Sequence, residues 1–305
     1  MTIYNINCPD CNSNKYSVYK NPNFNKLSKN QLLNIFKASS DNRLISRVVT
    51  CDDCKLKYIN PRLDSNNIEM SYSNSIDTTF STQNKYRIET FRDTLKKLIK
   101  KKIINKRLHK KVLDIGCASG SFLVACKDLG FDPYGIEPNK SLVEFGVKNY
   151  KVNIKQGVLN EKMFSGKKFD IITLWDVIEH LTEPSKTIQI AKKLLNKNGI
   201  LIINYPDSDS LISKLLGNKW PFWLDVHLIY FNETTIKNFL NKRGLKTILI
   251  QNHWQKLSLE YIFFRASKLF IFLKLFAFII NFLNLNNFKI KYFIGQKLVI
   301  SVKSE

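Results

Sequence analysis

Acidic side chains are scarce in this sequence of 305 residues, which has 25 aspartates and glutamates against 48 lysines and arginines. The formal charge of +23 would attract nucleic acid, anionic lipid or anionic metabolites. Dense basic blocks are also lacking, except for residues 96–111. Because the other lysines are scattered among asparagines and isoleucines, a composition bias explains the charge better than a nucleic-acid-binding patch does. Nucleic acid is therefore the less favoured partner.

No secretory signal is expected in residues 1–7, because they have neither a basic start nor a long apolar core. We therefore expect a cytoplasmic protein with reduced cysteines.

An uninterrupted apolar run of about 20 residues is also missing. The apolar segment 261–285 is broken by Arg265, Lys268 and Lys274, and the strand expected at 297–302 argues against a single membrane crossing before it. Two interpretations stay open for this segment. It forms helices on the substrate side, or it lies in the surface of the inner face of a membrane as a peripheral contact.

Four of the six cysteines form two Cys-x-x-Cys pairs. Each pair can present two thiolates to one tetrahedral ion, and a redox dithiol is the alternative. The 39 residues between the pairs exceed the usual gap of about 15–20 residues, because a polar insert occupies 21–42. Strands are expected on both sides of the second pair. These features predict a zinc ribbon over 1–62, with a structural Zn²⁺ held by Cys8, Cys11, Cys51 and Cys54.

After a helical connector at 63–110, apolar strands alternate with helices over 111–305. Within the connector, residues 90–105 have the pattern of an amphipathic helix. The alternation predicts an α/β domain with a doubly wound, mostly parallel sheet that is covered on both faces. An apolar helical insertion is expected at 257–290.

The stretch VLDIGCASG, at 112–120, has the pattern of a strand, a glycine turn and a helix start. Gly116 permits the turn, and Gly120 is expected to let the helix approach a ligand. Glu137 ends the next strand, 21 residues after Gly116, where a carboxylate can accept both ribose hydroxyl protons. The Gly-x-x-x-Gly spacing and Asp114, which would repel a pyrophosphate, argue against a dinucleotide. S-adenosylmethionine has no phosphate, and its ammonium would favour a nearby acid.

The sequence resembles the class I S-adenosylmethionine methyltransferases, in the branch of ubiquinone O-methyltransferases and sugar C-methyltransferases. The likeness is carried by VLDIGCASG, GIEPN, FDIITLWDVIEHLTEP and DVHLIYFNETTIKNFLNKRGL, and by CKLKYINPR, which resembles the end of an N-terminal zinc module. The resemblance implies a Rossmann-like, seven-stranded fold and S-adenosyl-L-methionine as cofactor.

The resemblance also implies roles for single residues. Glu137 would hold the ribose, and Asp176 would bind cofactor near the transferring methyl group. Asp114, Gly116 and Gly120 would line the methionine part, and Cys117 is also expected to bind the cofactor. Two departures stand out: Ala118 replaces the middle glycine, and 156–158 reads Gln-Gly-Val where an acidic residue often binds adenine.

Methyl transfer is an in-line displacement that depends on alignment, and a hydroxyl or carbon acceptor needs a base. Asp176, His180 and His227 are the catalytic candidates, with structural histidines as the alternative. His227 lies in an aromatic loop that includes Trp220, Phe222, Trp223 and, beyond the histidine, Tyr230. We expect this loop to form a substrate wall in preference to a core plug.

The favoured function is methyl transfer to an oxygen or carbon of a small or lipid-linked acceptor, such as a sugar, a polysaccharide precursor or a quinone-like ring. Two alternatives stay open. One is an RNA methyltransferase that uses the ribbon and the basic surface. The other is a zinc-ribbon interaction protein with a degenerate transferase fold.

Overall fold

The computed structural model describes residues 3–21, 44–64, 82–267 and 285–304, together with residues 68, 280, 282 and 283. The strands are β1 Ile3–Tyr4, β2 Tyr16–Lys20, β3 Val48–Cys51, β4 Lys57–Ile59, β5 Arg62–Leu63, β6 Lys111–Ile115, β7 Asp132–Glu137, β8 Asn153–Gln156, β9 Phe169–Trp175, β10 Leu195–Pro206, β11 Ile229–Tyr230, β12 Leu245–Asn252, β13 Gln255–Ser258, β14 Lys289–Tyr292 and β15 Gln296–Lys303. The α-helices are α1 Asn84–Lys100, α2 Ser121–Asp128, α3 Lys140–Tyr150, α4 Pro184–Leu194, α5 Leu211–Leu216, α6 Glu233–Asn241 and α7 Leu259–Ser267. Single 3₁₀ turns cover Ile178–His180 and Gly217–Lys219.

Seven strands of the described chain form one sheet in the order β12-β15-β10-β9-β6-β7-β8. The pairs from β10 to β8 are parallel, and β15 runs antiparallel between β12 and β10. This architecture confirms the predicted doubly wound, mostly parallel, seven-stranded sheet. The strand order reverses between β6 and β9, so the carboxyl ends of these two strands border the crevice where such sheets bind ligands.

The central strands are apolar on both faces, as β9 illustrates with its sequence FDIITLW. Its side chains join two buried clusters on opposite sides of the sheet, with Ile172 and Leu174 in one and Ile171 and Trp175 in the other. Burial on both faces is what the helical cover of a parallel sheet provides. The amphipathic helix predicted at 90–105 is α1, which begins earlier, at Asn84, and ends at Lys100.

The N-terminal strands form a separate sheet that the later chain completes. Its order is β11-β4-β3-β2, and β11 pairs with β4 through Ile229 opposite Tyr58. Asp10 makes an ion pair of 2.9 Å with Arg243, which directly follows α6 and Lys242. The N-terminal module is therefore joined to the large sheet by hydrogen bonds and charge. The domain boundaries at 62/63 and 110/111 stay predictions.

The expected substrate wall in the aromatic loop is corrected by the packing. Trp220, Trp223 and Tyr230 are buried in one cluster with Val48 and Ile59 of the N-terminal sheet. The Trp220 indole also donates to the carbonyl oxygen of Ile294 over 2.8 Å. These side chains therefore form a buried core with the N-terminal sheet. The sequence placed the aromatics correctly in one loop but could not show the distant strands that cover them.

Beyond β12, strands β13 and β14 pair antiparallel and α7 follows β13. This hairpin lies on α1, where the Lys256 amide donates to Thr90 Oγ1 over 2.9 Å. Within the described ranges, no helix has the length and apolar character needed to cross a membrane. Much of the predicted apolar segment, including Lys268 and Lys274, falls outside the described residues.

Candidate functional site

The four paired cysteines lie together, with all of their sulfur atoms within 4.8 Å of one another. Between the two pairs, the sulfur atoms of Cys8 and Cys54 lie 3.4 Å apart and those of Cys11 and Cys51 lie 3.5 Å apart. Zn–S bonds of about 2.3 Å in a tetrahedron place sulfurs about 3.8 Å apart. The spacing therefore suits one tetrahedral ion, and all four cysteines are free thiols.

Both Cys-x-x-Cys turns have the same backbone. The amide of the residue after the second cysteine donates to the carbonyl of the first, in Asn12→Cys8 at 2.9 Å and Lys55→Cys51 at 3.0 Å. Asn12 and Lys55 both have left-handed φ, at 59° and 63°. Two equivalent knuckles thus present their thiols to one centre, as in a zinc ribbon.

The bend after β6 is sharply left-handed. Gly116, Ala118 and Gly120 have φ of 71°, 47° and 83°. The bend is fixed to β7, because the amides of Gly116 and Cys117 both donate to the carbonyl of Ile136. A tight bend at the carboxyl end of a central strand is the expected place for a nucleoside ligand.

Close packing against other segments of the chain explains why positions 116 and 120 are glycines. A Cβ on Gly116 would lie 2.6 Å from Val177, so this glycine lets the bend approach the loop after β9. A Cβ on Gly120 would lie 2.8 Å from Val152. At Gly120 the missing side chain therefore lets the bend pack closely on the region before β8, and its expected approach to a ligand stays a prediction. The side chain of Cys117 is also buried in the core, so only its backbone is available to a cofactor.

Glu137 ties the bend to the end of β7. One carboxylate oxygen accepts from the Ala118 amide and the other from the Asn139 amide, each over 2.9 Å. Burial raises the pKa of Glu137, and these two amide bonds oppose the rise. A carboxylate oxygen has two lone pairs, so each oxygen can still accept a ligand hydroxyl.

Asp114 is buried beneath the bend and accepts a hydrogen bond of 2.6 Å from Thr173 Oγ1. Burial raises the pKa of this carboxyl to about 8, against the opposing effects of Thr173 and Arg87. Without a bound cation, Asp114 is therefore mostly protonated at pH 7. A neighbouring ammonium would favour the ionised form.

Asp176 follows β9 with a left-handed φ of 54°. Its carboxylate accepts from the Asn204 amide group, and Arg87 of α1 lies 3.9 Å away. Burial raises the pKa of Asp176, and the Arg87 charge opposes that rise. Arg87 and Asn204 were not predicted. Arg87 lies in a helix that looked like a connector, and no local pattern links it to the crevice.

His180 and His227 are brought together, with ring centroids 4.7 Å apart. Burial lowers the pKa of His180 to about 4. Burial, together with the neighbouring His180, lowers the pKa of His227 well below its usual value. Both imidazoles are therefore neutral at pH 7. Glu179 lies beside them, and burial together with the Asp176 charge raises its pKa well above the usual value. Sequence analysis did not select Glu179, although it directly precedes His180.

The β13–β14 hairpin contributes a further polar pair near this end of the sheet. Tyr292 donates to Gln255 Oε1 over 2.6 Å, and the negative charge of Asp176 helps burial to raise the pKa of Tyr292. His253 packs against Trp175 with tilted rings, whose centroids are 5.4 Å apart. Because its two strands are more than thirty residues apart in sequence, no local pattern predicted this hairpin.

Ala118 offers a test of the bend. A residue with a side chain costs about 1–2 kcal/mol in the left-handed region, and glycine avoids this cost. The more flexible unfolded chain of the glycine variant offsets about 0.4–1 kcal/mol of that gain. We expect Ala118→Gly to raise the free energy of unfolding by about 0.5–1 kcal/mol, measured in urea. Ala125→Gly, in the interior of α2, is the control and should lower it by about 1 kcal/mol. Destabilisation by both changes would contradict the left-handed bend.

Comparison with known proteins identifies relatives of this architecture. The methyltransferase domain family matches residues 83–250. A ubiquinone biosynthesis O-methyltransferase of Pelagibacter ubique (strain HTCC1062) is 36% identical over 97 residues, which cover 30% of this chain and 40% of the relative. A tRNA U34 carboxymethyltransferase of Campylobacter jejuni (strain RM1221) is 33% identical over 160 residues, or 48% of this chain and 53% of that protein.

A SAM-dependent methyltransferase from Archaeoglobus fulgidus has a similar solved structure, with a TM-score of 0.50 and 19% identity. The match covers 74% of this chain and all of that one, and supports the fold. The chain spans only about two fifths to half of the length of the two curated relatives.

Proposed function

This chain belongs to the methyltransferase domain family, and from that membership we propose that it transfers a methyl group from S-adenosylmethionine to a small or lipid-linked acceptor. The observation that carries the proposal is the Glu137 carboxylate, which is fixed by two amides at the bend and retains lone pairs for a ribose. The bend supplies no basic side chain for a pyrophosphate, and Asp114 lies directly beneath it.

Charges around the bend fit the two ends of the methionine part. Asp114 would face the ammonium, and Arg87, 3.9 Å from Asp176, would attract the carboxylate. The cofactor supplies a methyl group on a sulfonium when it is bound. Asp176 and the glycine bend would then fix the position of the methyl group. Alignment of the reacting groups is a main contribution that protein residues make to an in-line displacement.

His180 and His227 are our candidates for the acceptor side. Both rings are neutral at pH 7 because burial lowers their pKa values, so they can act as acceptors of a proton or of another cation. His180 follows β9 four residues after Asp176, and His227 contacts His180 from the loop before β11. We propose that they help to remove the proton of an oxygen or carbon nucleophile.

The cysteine cluster is proposed to hold a structural zinc ion. Four thiolates would fill a tetrahedral shell and leave no position for substrate. The module also supports the loop that carries His227, because Asp225 accepts from the amides of Ile45 and Ser46 over 3.1 and 2.7 Å. Zinc would affect methyl transfer only indirectly, by stabilising the module that holds the His227 loop in place.

A lipid-linked acceptor is favoured by exposed apolar side chains near the β13–β14 hairpin. Phe282 and Phe288 are 78% and 60% exposed, and Phe264 of α7 is 43% exposed. Lys291 of β14 could meet anionic headgroups, whereas Lys289 makes an ion pair with Glu89. We propose that this region contacts a membrane surface at its periphery.

The acceptor class is tested with S-adenosylmethionine carrying a labelled methyl group. The full chain is incubated with a cell extract that is afterwards separated into lipid, small-molecule and RNA fractions. We expect label in the lipid or small-molecule fraction and none with Glu137→Ala. Label in RNA would favour the alternative that the basic charge and the tRNA-modifying relative suggest. Absence of label from every fraction, with no cofactor binding, would favour an interaction protein with a degenerate fold.

A further inference from the structure

Arg62 of β5 carries a buried positive charge that lacks a counter-charge. The residue is 6% exposed, and its Nη2 atom donates to the Thr182 carbonyl oxygen over 3.0 Å. Its Nε and Nη1 atoms are buried and have no hydrogen-bond partner. Among the residues that the structure describes, no carboxylate pairs with this guanidinium. One N–H group on Nε and two on Nη1 are therefore left without an acceptor.

A buried guanidinium cannot avoid this cost by releasing its proton. Burial lowers the pKa of Arg62, but a guanidinium stays charged at pH 7. A buried charge and buried N–H groups that lack partners are both strongly unfavourable, because their lost hydration is not replaced. The arrangement therefore indicates an anion that supplies the missing acceptors.

Arg243 shows how this chain pairs another buried arginine. The Arg243 side chain is 7% exposed, and its Nη1 atom lies 2.9 Å from Asp10 Oδ1. The same Nη1 donates to the Phe239 carbonyl oxygen over 2.6 Å, and only Nε has no partner in the described chain. Arg62 differs in that no carboxylate of the chain neutralises its charge.

The Thr182 contact places Arg62 at the loop that follows β9. This loop starts with Asp176 and includes His180, which contacts His227. Thr182 is six residues after Asp176, so the two residues are at most about 20 Å apart even if the loop were fully extended. A methyl acceptor of up to about that length can therefore reach from the proposed transfer site to the guanidinium.

We propose that Arg62 binds a phosphate group of the methyl acceptor, an assignment that rests on the proposed function. Three N–H groups match the three terminal oxygens of a phosphate ester better than the two oxygens of a carboxylate. Hydrogen bonds from a guanidinium to phosphate are also charge-assisted. The acceptor class that follows is a phosphorylated small molecule or a lipid phosphate. Because the guanidinium is buried, the surrounding segments must separate locally for the phosphate to enter.

Thermal unfolding of the full chain in inorganic phosphate tests the site. At constant ionic strength, the wild-type midpoint should rise with phosphate concentration, because the anion binds the folded chain. Arg62→Met removes the unpaired charge, so it should have an equal or higher midpoint without phosphate and lose the phosphate-dependent rise. Arg47→Met is the matched control and should keep the rise, because the Nε of this half-buried arginine already donates to the Asn60 carbonyl oxygen over 2.7 Å.

Equal rises in the wild type and in Arg62→Met would reflect only the general stabilisation by phosphate salts and would overturn the proposal. Absence of a rise in the wild type would overturn it without any variant. If Arg62→Met does not fold, Arg62→Lys replaces it, since lysine keeps the charge but not the planar fork. This variant should need at least about 10-fold more phosphate for the same rise, and an unchanged requirement would contradict the site.

Labelled methyl transfer shows which molecules carry the phosphate. Products formed in a heat-treated cell extract should bind an anion exchanger and lose that property after treatment with phosphodiesterase and phosphatase. Partition between water and organic solvent then separates soluble phosphates from lipid phosphates. Label found only in products without phosphate would overturn the proposal and leave the proposed function intact.

Arg62→Met should place at least about 10-fold less label in the phosphorylated products when the extract is limiting. Its affinity for S-adenosylmethionine in calorimetry should equal that of the wild type. Lower cofactor affinity in the folded variant would assign the guanidinium to the cofactor and overturn the acceptor site. Failure of the wild-type chain to bind S-adenosylmethionine would contradict the proposed function, whereas the phosphate-dependent midpoint tests Arg62 without the cofactor.

Discussion

Replacing Glu137 with alanine is expected to weaken S-adenosylmethionine binding at least about 100-fold and to lower the free energy of unfolding by about 2–6 kcal/mol. Two effects combine in this variant. The Ala118 and Asn139 amides lose their acceptors, and each unsatisfied buried donor costs about 1–3 kcal/mol. The ribose would also lose two hydrogen bonds to a charged group, each worth about 1.5–3 kcal/mol.

Calorimetry gives the affinity, and urea denaturation gives the stability. Glu144→Ala is the matched control, because Glu144 is an exposed glutamate on α3 whose Lys140 partner is 3.7 Å away. It should change stability by less than about 0.5 kcal/mol and leave binding unchanged. Glu137→Gln, which retains one acceptor oxygen, should have an intermediate effect. Cofactor affinity equal to the wild type in a folded Glu137→Ala protein would contradict the assigned ribose contact.

Replacing Cys51 with serine is expected to release the zinc ion and to destabilise the chain by several kcal/mol, because metal binding and folding of such modules are coupled. Cys51 is fully buried at the end of β3, and its sulfur lies 3.5 Å from that of Cys11. Loss of the zinc ion should also disturb the proposed catalytic residue His227, because β4 of the N-terminal sheet pairs with β11 just after it. We expect methyl transfer to fall more than cofactor affinity does.

Cys126→Ser is the matched control for this variant, since Cys126 is equally buried but lies in α2 outside the cysteine cluster. Both variants exchange a buried thiol for a hydroxyl, so their difference isolates the metal. Elemental analysis should find zinc in the control and not in Cys51→Ser, and the thermal midpoint should be lower in Cys51→Ser. Equal midpoints, or zinc retained by Cys51→Ser, would contradict a structural four-cysteine site.

The large sheet and the bend could be predicted from local sequence because their signals are local. The run FDIITLW is apolar enough to identify a strand buried on both faces, and the two glycines of VLDIGCASG mark positions that are left-handed. The cysteine pairs were likewise identified by spacing, and the structure brings their sulfurs together. These features depend on periodicity, turn chemistry and residue type.

The rest of the site depends on contacts between distant segments. Trp220 and Trp223 look the same in sequence whether they line a pocket or cover β3 and β4, and only the fold decides between these roles. Arg87 reaches the crevice from a helix that precedes the sheet. Gly120 packs against Val152, more than thirty residues away, and the motif did not predict this contact. No local pattern contains these pairings.

Calorimetric titration of the purified full chain with S-adenosylmethionine, and separately with a nicotinamide dinucleotide, tests the central claim most directly. We predict about one saturable site per chain for S-adenosylmethionine and no heat of binding for the dinucleotide. Binding of the dinucleotide at the bend, or a folded chain that binds neither compound, would contradict the assignment of Glu137 and its bend to a sulfonium nucleoside.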